Sequence, residues 1–167
     1  MKISKILLAV CVLSLLAAGT VAAAPTDTKT LTINFAPAAR ATLTLGQSSI
    51  TFPDKSPDSD PIVYDNEGAV SVLASVRTGS SSTPSLTVIC TDLTSGSDTI
   101  PISNVSWTAS GDAGFVAGTM NKTTAQTAGS WTGSGSRNGS FTYALMNSWN
   151  WATGSYSATA TYTLTAP

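Results

Sequence analysis

The chain has 167 residues, with eight Lys/Arg against nine Asp/Glu, a formal charge of −1 and no histidine. That balance lacks the basic footprint that nucleic acid or an anionic membrane surface requires. The missing imidazole removes the commonest general base, triad partner and zinc ligand.

In chain order, "MKISK", "ILLAVCVLSLLAAG" and "VAAAP" read as a basic n-region, an apolar h-region and a small-residue cleavage site. Residues 1–23 are therefore expected to be a signal peptide cut after Ala23. Residues 24–167 are expected to form one exported domain, secreted, periplasmic or at the cell surface. No second apolar run approaches the roughly 20 residues of a transmembrane helix, so no membrane span is expected. Cys90 is then the one cysteine left, two residues from Val88 and four from Leu86, and it reads as a small core hydrophobe.

Period-2 alternation recurs from Thr30 onward, and helical periodicity is absent over any ten residues. "TLTINF" sets Leu31, Ile33 and Phe35 on one face, and "ATLTLG" does the same with Ala41, Leu43 and Leu45. "SITF", "AVSVLASVR", "PSLTVICT" and "GSFTYALM" follow, with Leu73 left on the outer face of its strand. In "TIPISNVSWTA" the parity changes between Ile102 and Val105, which predicts a β-bulge near Ser103–Asn104. The last strand alternates Tyr156, Ala158, Ala160, Tyr162 and Leu164 against Ser and Thr. Gly-, Pro- and Asp-rich turns, "GSGSRNG" among them, separate these runs. Eight or nine short strands without crossover helices predict an all-β fold, an immunoglobulin-like antiparallel β-sandwich. "ATGSYSA" matches a tyrosine corner, with Tyr156 opening what would be the penultimate strand of such a domain.

Chemistry is sparse. No glycine-flanked nucleophile elbow and no phosphate loop occurs, so no enzyme, no catalytic residue and no cofactor are expected. Asp54, Asp58, Asp60, Asp65 and Glu67 crowd the loop "PDKSPDSDPIVYDNEG". Calcium is one reading of such a loop, but the spacing departs from an EF-hand, and a solvated, proline-stiffened loop suits it better. Trp107 reads as core. Trp131, set among Gly and Ser, and Trp149 with Trp151, beside Asn147 and Asn150, form a candidate glycan platform, because sugar faces stack on aromatic rings. The plainer reading has Trp149 and Trp151 covering the open end of the sandwich.

The Thr-rich alternating N-terminal segment and the ending "GSYSATATYTLTAP" resemble the secreted β-sandwich subunits of bacterial fimbriae, the chaperone–usher pilins, and the spore-coat-U-like proteins. Gly154 is the fourteenth residue from the C-terminus, as such pilins have it, but Ala166 stands where they carry an aromatic, and one cysteine cannot make their disulfide. The ending also looks like the last strand of W-x-L cell-wall-binding domains, although no W-x-L triplet occurs. The pilin resemblance implies a non-enzymatic structural or adhesive surface subunit that assembles by β-strand donation. Leu31, Ile33 and Phe35 would be the donor knobs, and Tyr156, Ala158, Ala160, Tyr162 and Leu164 the acceptor edge. Partners would be other copies of the chain or related subunits; the alternative is a carbohydrate-binding module that takes glycans. A self-complete sandwich, with "TKTLTINF" paired to its own chain, is the simpler expectation for this segment.

Overall fold

The structure, a computed structural model, describes residues 24–167, and the expected signal peptide lies outside the described residues. The chain divides into two units, Met1–Phe35 and Ala36–Pro167. In the described part of the first, residues 24–35, no strand forms, and Leu31, Ile33 and Phe35 are 83%, 85% and 85% exposed. The strand predicted over Thr30–Phe35 enters no ladder among the described residues.

The second unit is all-β and antiparallel. Its strands are β1 (Arg40–Leu45), β2 (Ile62–Tyr64), β3 (Val70–Arg77), β4 (Ser85–Cys90), β5 (Leu93–Ser95) and β6 (Asp98–Ile100). After these come β7 (Val105–Gly111), β8 (Gly118–Thr119), β9 (Gln126–Ser130), β10 (Gly135–Met146) and β11 (Ala160–Thr165). One sheet has the order β1-β3-β10-β7-β8, with β2 pairing β10; the other runs β11-β4-β9, and β5-β6 form a separate ribbon. The two larger sheets make a β-sandwich.

Alternation dictates which side chains meet between the sheets. On β3, Val70, Val72, Ala74 and Val76 are buried, while Leu73 faces out, 40% exposed. From the opposite sheet β4 contributes Leu86, Val88 and Cys90, all buried, so the thiol is a core group and burial raises its pKa. Trp107 and Phe141 fill the centre edge to face, with ring centroids 6.4 Å apart. The Trp107 indole N–H donates to Val116 O at 2.8 Å, which satisfies its one polar atom. A Cβ at Gly118 would stand 2.5 Å from that indole, so the close passage of β8 over the ring requires glycine.

Three local expectations change. The parity switch before β7 is a 3-10 turn, Ile102–Asn104, rather than a bulge. It carries the chain from the ribbon into the larger sheet and keeps both Ile102 and Val105 buried. "GSGSRNG" is not all turn, because β10 begins at Gly135 and pairs with β3 from Val76 to Val70. "SITF" joins no ladder, yet Ile50 and Phe52 pack on the core.

Candidate functional site

The sandwich is closed at one end and open at the other. At the closed end, Leu43 of β1 and Leu164 of β11 pack with Ala166 on Ala74, Val76 and Trp131. There β1 and β11 approach to within 8 Å between Cα atoms, and Thr78 Oγ1 donates to the Pro167 carbonyl. Beyond Leu45 the two walls part. Gly46 N–H still bonds Ser71 O at 2.8 Å, but residues 47–61 join no ladder, and residues 147–159 precede β11 on the facing wall.

Between these walls lies a cleft of about 1210 Å³. It is wider than the ~300–1,000 Å³ of an ordinary small-molecule pocket. Its floor is the hydrophobic core itself: Cys90, Ile102, Val105 and Met120 line it, and each is 4–6% exposed. Ile50 and Phe52 stand on one wall, and Tyr156, Ala158, Ala160 and Tyr162 on the other. The two alanines between two tyrosines leave the middle of that wall low.

The β11 wall also offers unpaired backbone. Ser157 exchanges both backbone hydrogen bonds with Thr94, and Thr159 O accepts from Thr91 N–H at 3.1 Å. Backbone groups alternate sides along a strand, so those of Ala158, Ala160, Tyr162 and Leu164 point away from β4. β11 is the edge of its sheet, which leaves this row open. Gln47 Oε1, on the opposite wall, is buried without a donor.

Polar groups line the cleft beside these apolar ones, Gln47, Asp54, Lys55 and Asn147 among them. Tyr143 and Tyr162 join their hydroxyls at 2.6 Å, and burial raises both phenol pKa values. Tyr156 donates its hydroxyl to Ala152 O, four residues upstream, at 3.0 Å, the hydrogen bond of a tyrosine corner. Its ring remains half-buried at the cleft.

Of the expected acceptor edge, Tyr156, Ala158, Ala160 and Tyr162 line the cleft, and Leu164 sits at its closed end. The candidate glycan platform is not assembled. Trp131 is 7% exposed, packed on Phe115 at 6.2 Å between ring centroids, with no face left for a ligand. Small neighbours allow that burial; the Trp131 backbone N–H donates to Pro84 O at 3.3 Å, while the indole Nε1 is buried without a partner. Trp149 and Trp151 line the mouth of the cleft, and Trp149 is 69% exposed. The acids serve the loop individually. Asp58 accepts from Trp149 Nε1 at 2.9 Å, Glu67 from Thr51 N–H at 2.7 Å, and buried Asp65 from Tyr143 N–H at 3.0 Å. Among the described residues no three carboxylates converge as metal ligands, so the calcium reading has no geometry behind it. Local sequence hid the cleft floor, because Met120 and Ile102 come from a two-residue strand's end and a single turn. No family model matches this chain, and no curated protein and no solved structure does either.

Proposed function

We propose that this protein is an exported, non-enzymatic surface subunit of immunoglobulin-like type that polymerises by β-strand donation. The N-terminal segment Thr28–Phe35 of one copy fills the cleft of another. The carrying observation is the cleft itself, floored by core residues and bordered by an unpaired strand edge, in a chain whose alternating Leu31, Ile33 and Phe35 lie exposed. A strand added along the cleft side of β11, from Ala158 to Tyr162, extends the row of backbone hydrogen bonds and sets alternate side chains over Ala158 and Ala160. Burying Leu, Ile and Phe contributes roughly 1.5–3 kcal/mol each, before association costs.

Donation between copies suits the geometry better than self-insertion. A segment folding back along its own β1 meets the closed end first. There β1 and β11 lie within 8 Å, less than the ~9.5 Å that two strand spacings need. The carbohydrate-binding alternative retains Trp149 and Trp151 alone, since Trp131 is buried.

The test compares Ala24–Pro167 with Ala36–Pro167 by sedimentation and peptide binding. The longer chain is expected to form concentration-dependent oligomers, and the shorter one to stay monomeric and bind a Thr28–Phe35 peptide. A longer chain that stays monomeric at every concentration, with no peptide bound by the shorter, ends the proposal.

A further inference from the structure

All three arginines of the chain gather at the closed end of the sandwich. Arg40 and Arg77 are direct cross-strand partners, and Arg137 lies two residues from Gly135, the partner of Val76. Like charges placed opposite one another repel. Among the described residues no arginine forms an ion pair; the two ion pairs are Lys29–Asp27 and Lys122–Asp92. The acid at this end, Asp112, is engaged with Asn138 N–H at 2.8 Å.

The mouth of the cleft carries the opposite sign. Asp54, Asp58 and Asp60 surround one lysine, Lys55, on the loop that Asn147 Nδ2 holds through Lys55 O at 2.9 Å and Asp60 O at 3.2 Å. Beside it lie exposed apolar side chains: Trp149, and Met146 opposite Ile62.

Chain length connects these two ends. Arg77 Nε donates to Ala38 O at 2.7 Å, so the root of the N-terminal segment is tied to the arginine end. From Ala38 to Phe35 are three residue steps, at most about 11 Å of extended chain. Wherever Phe35 sits in an acceptor cleft, the arginine end of the donating copy must stand close by.

Resting on strand donation as the function, with Phe35 at the Trp149 mouth, we propose that the arginine end of the donating copy seats on the Asp54–Asp60 loop of the acceptor. The donated strand runs antiparallel to β11, because β11 itself runs from the mouth toward the closed end. The reverse direction would bring the arginine ends of two copies together. Copies therefore associate head to tail, steered by charge, and the Trp149, Met146 and Ile62 patch becomes the contact between folded bodies.

The experiment uses chain Ala24–Pro167 and follows assembly by light scattering at low and high NaCl. Arg40→Glu/Arg137→Glu removes the positive end while sparing Arg77, and its fold is checked by circular dichroism; Gln replacements substitute if Glu disturbs folding. Assembly of this variant is expected to slow about tenfold or more at low salt, the scale of electrostatic steering, and to approach wild type in high salt. Adding Asp58→Lys/Asp60→Lys in the same chain restores the opposite signs and is expected to recover the rate. A Thr28–Phe35 peptide, which carries no arginine, binds the Arg variant and wild type alike. If the Arg variant assembles at the wild-type rate while the peptide still binds, charge seating is wrong and strand donation stands. If neither peptide binding nor assembly occurs in wild type, strand donation fails, and this proposal with it.

Discussion

The two ends of the sandwich are built from the same two strands and yet behave oppositely. At the closed end β1 and β11 bring Leu43 and Leu164 onto Ala74, Val76 and Trp131, and the core is sealed. At the mouth the continuations of those strands diverge, and Cys90, Met120 and Tyr143 line an open cleft. Side-chain size separates the two ends. Leu43, Leu164 and Trp131 fill the closed end, whereas Ala158 and Ala160 span the mouth wall and reach nothing opposite. Sealing a sandwich thus takes bulk on both edges, and an edge of alanines leaves room for another chain's side chains.

The comparison can be strained most severely at the closed end. Trp131→Ala is expected to cost about 3–5 kcal/mol in urea unfolding, as for other buried tryptophans cut to alanine. A cost below about 1 kcal/mol would mean that Trp131 does not seal that end. Next in size is Ala160→Trp, which fills the cleft from within. It should leave the urea midpoint close to wild type and weaken Thr28–Phe35 peptide binding about tenfold or more, ~1.4 kcal/mol. Unchanged peptide affinity would move the acceptor site elsewhere.

Tyr162→Phe probes the boundary between the two ends and is expected to cost about 1 kcal/mol by removing the bond to Tyr143. It also changes the pH profile. Burial raises the folded-state pKa of both phenols, so their contribution is complete below the unfolded value of about 10 and is lost as pH rises above it. Wild type should therefore weaken above about pH 10, and the variant less so; parallel profiles in that range would contradict the assignment. The smallest effect belongs to Trp149→Ala, expected within about 0.5 kcal/mol of wild type because that ring is largely in solvent. Set beside Trp131→Ala, it separates a sealing tryptophan from a surface one.

Legibility followed side-chain contrast. β3 was readable to the residue, since Val70, Val72, Ala74 and Val76 alternate with Ser71, Leu73 and Ser75 and are buried as the pattern demands. Tyr156 was equally plain, because a tyrosine two residues after a turn glycine is a local signature whose hydrogen bond closes within four residues, although β11 itself begins only at Ala160. β9, "QTAGS", gave no such contrast, its residues being small or polar, and the glycine-rich start of β10 looked like a turn for the same reason. Trp131 is buried although Gly and Ser flank it in the sequence, because in the fold small residues such as Gly129 let the backbone come close to the ring.

By itself the sequence determined the antiparallel all-β architecture, the buried cysteine and the two-faced character of Leu31, Ile33 and Phe35. Those are period-2 properties, carried by neighbours along one strand. Tertiary structure alone decided that the N-terminal segment joins no ladder, that β1 and β11 meet at one end and part at the other, and that the arginines and the mouth aspartates occupy opposite ends. Each of these depends on which strands become sheet edges, a long-range choice settled by packing across the whole core rather than by any local run of residues.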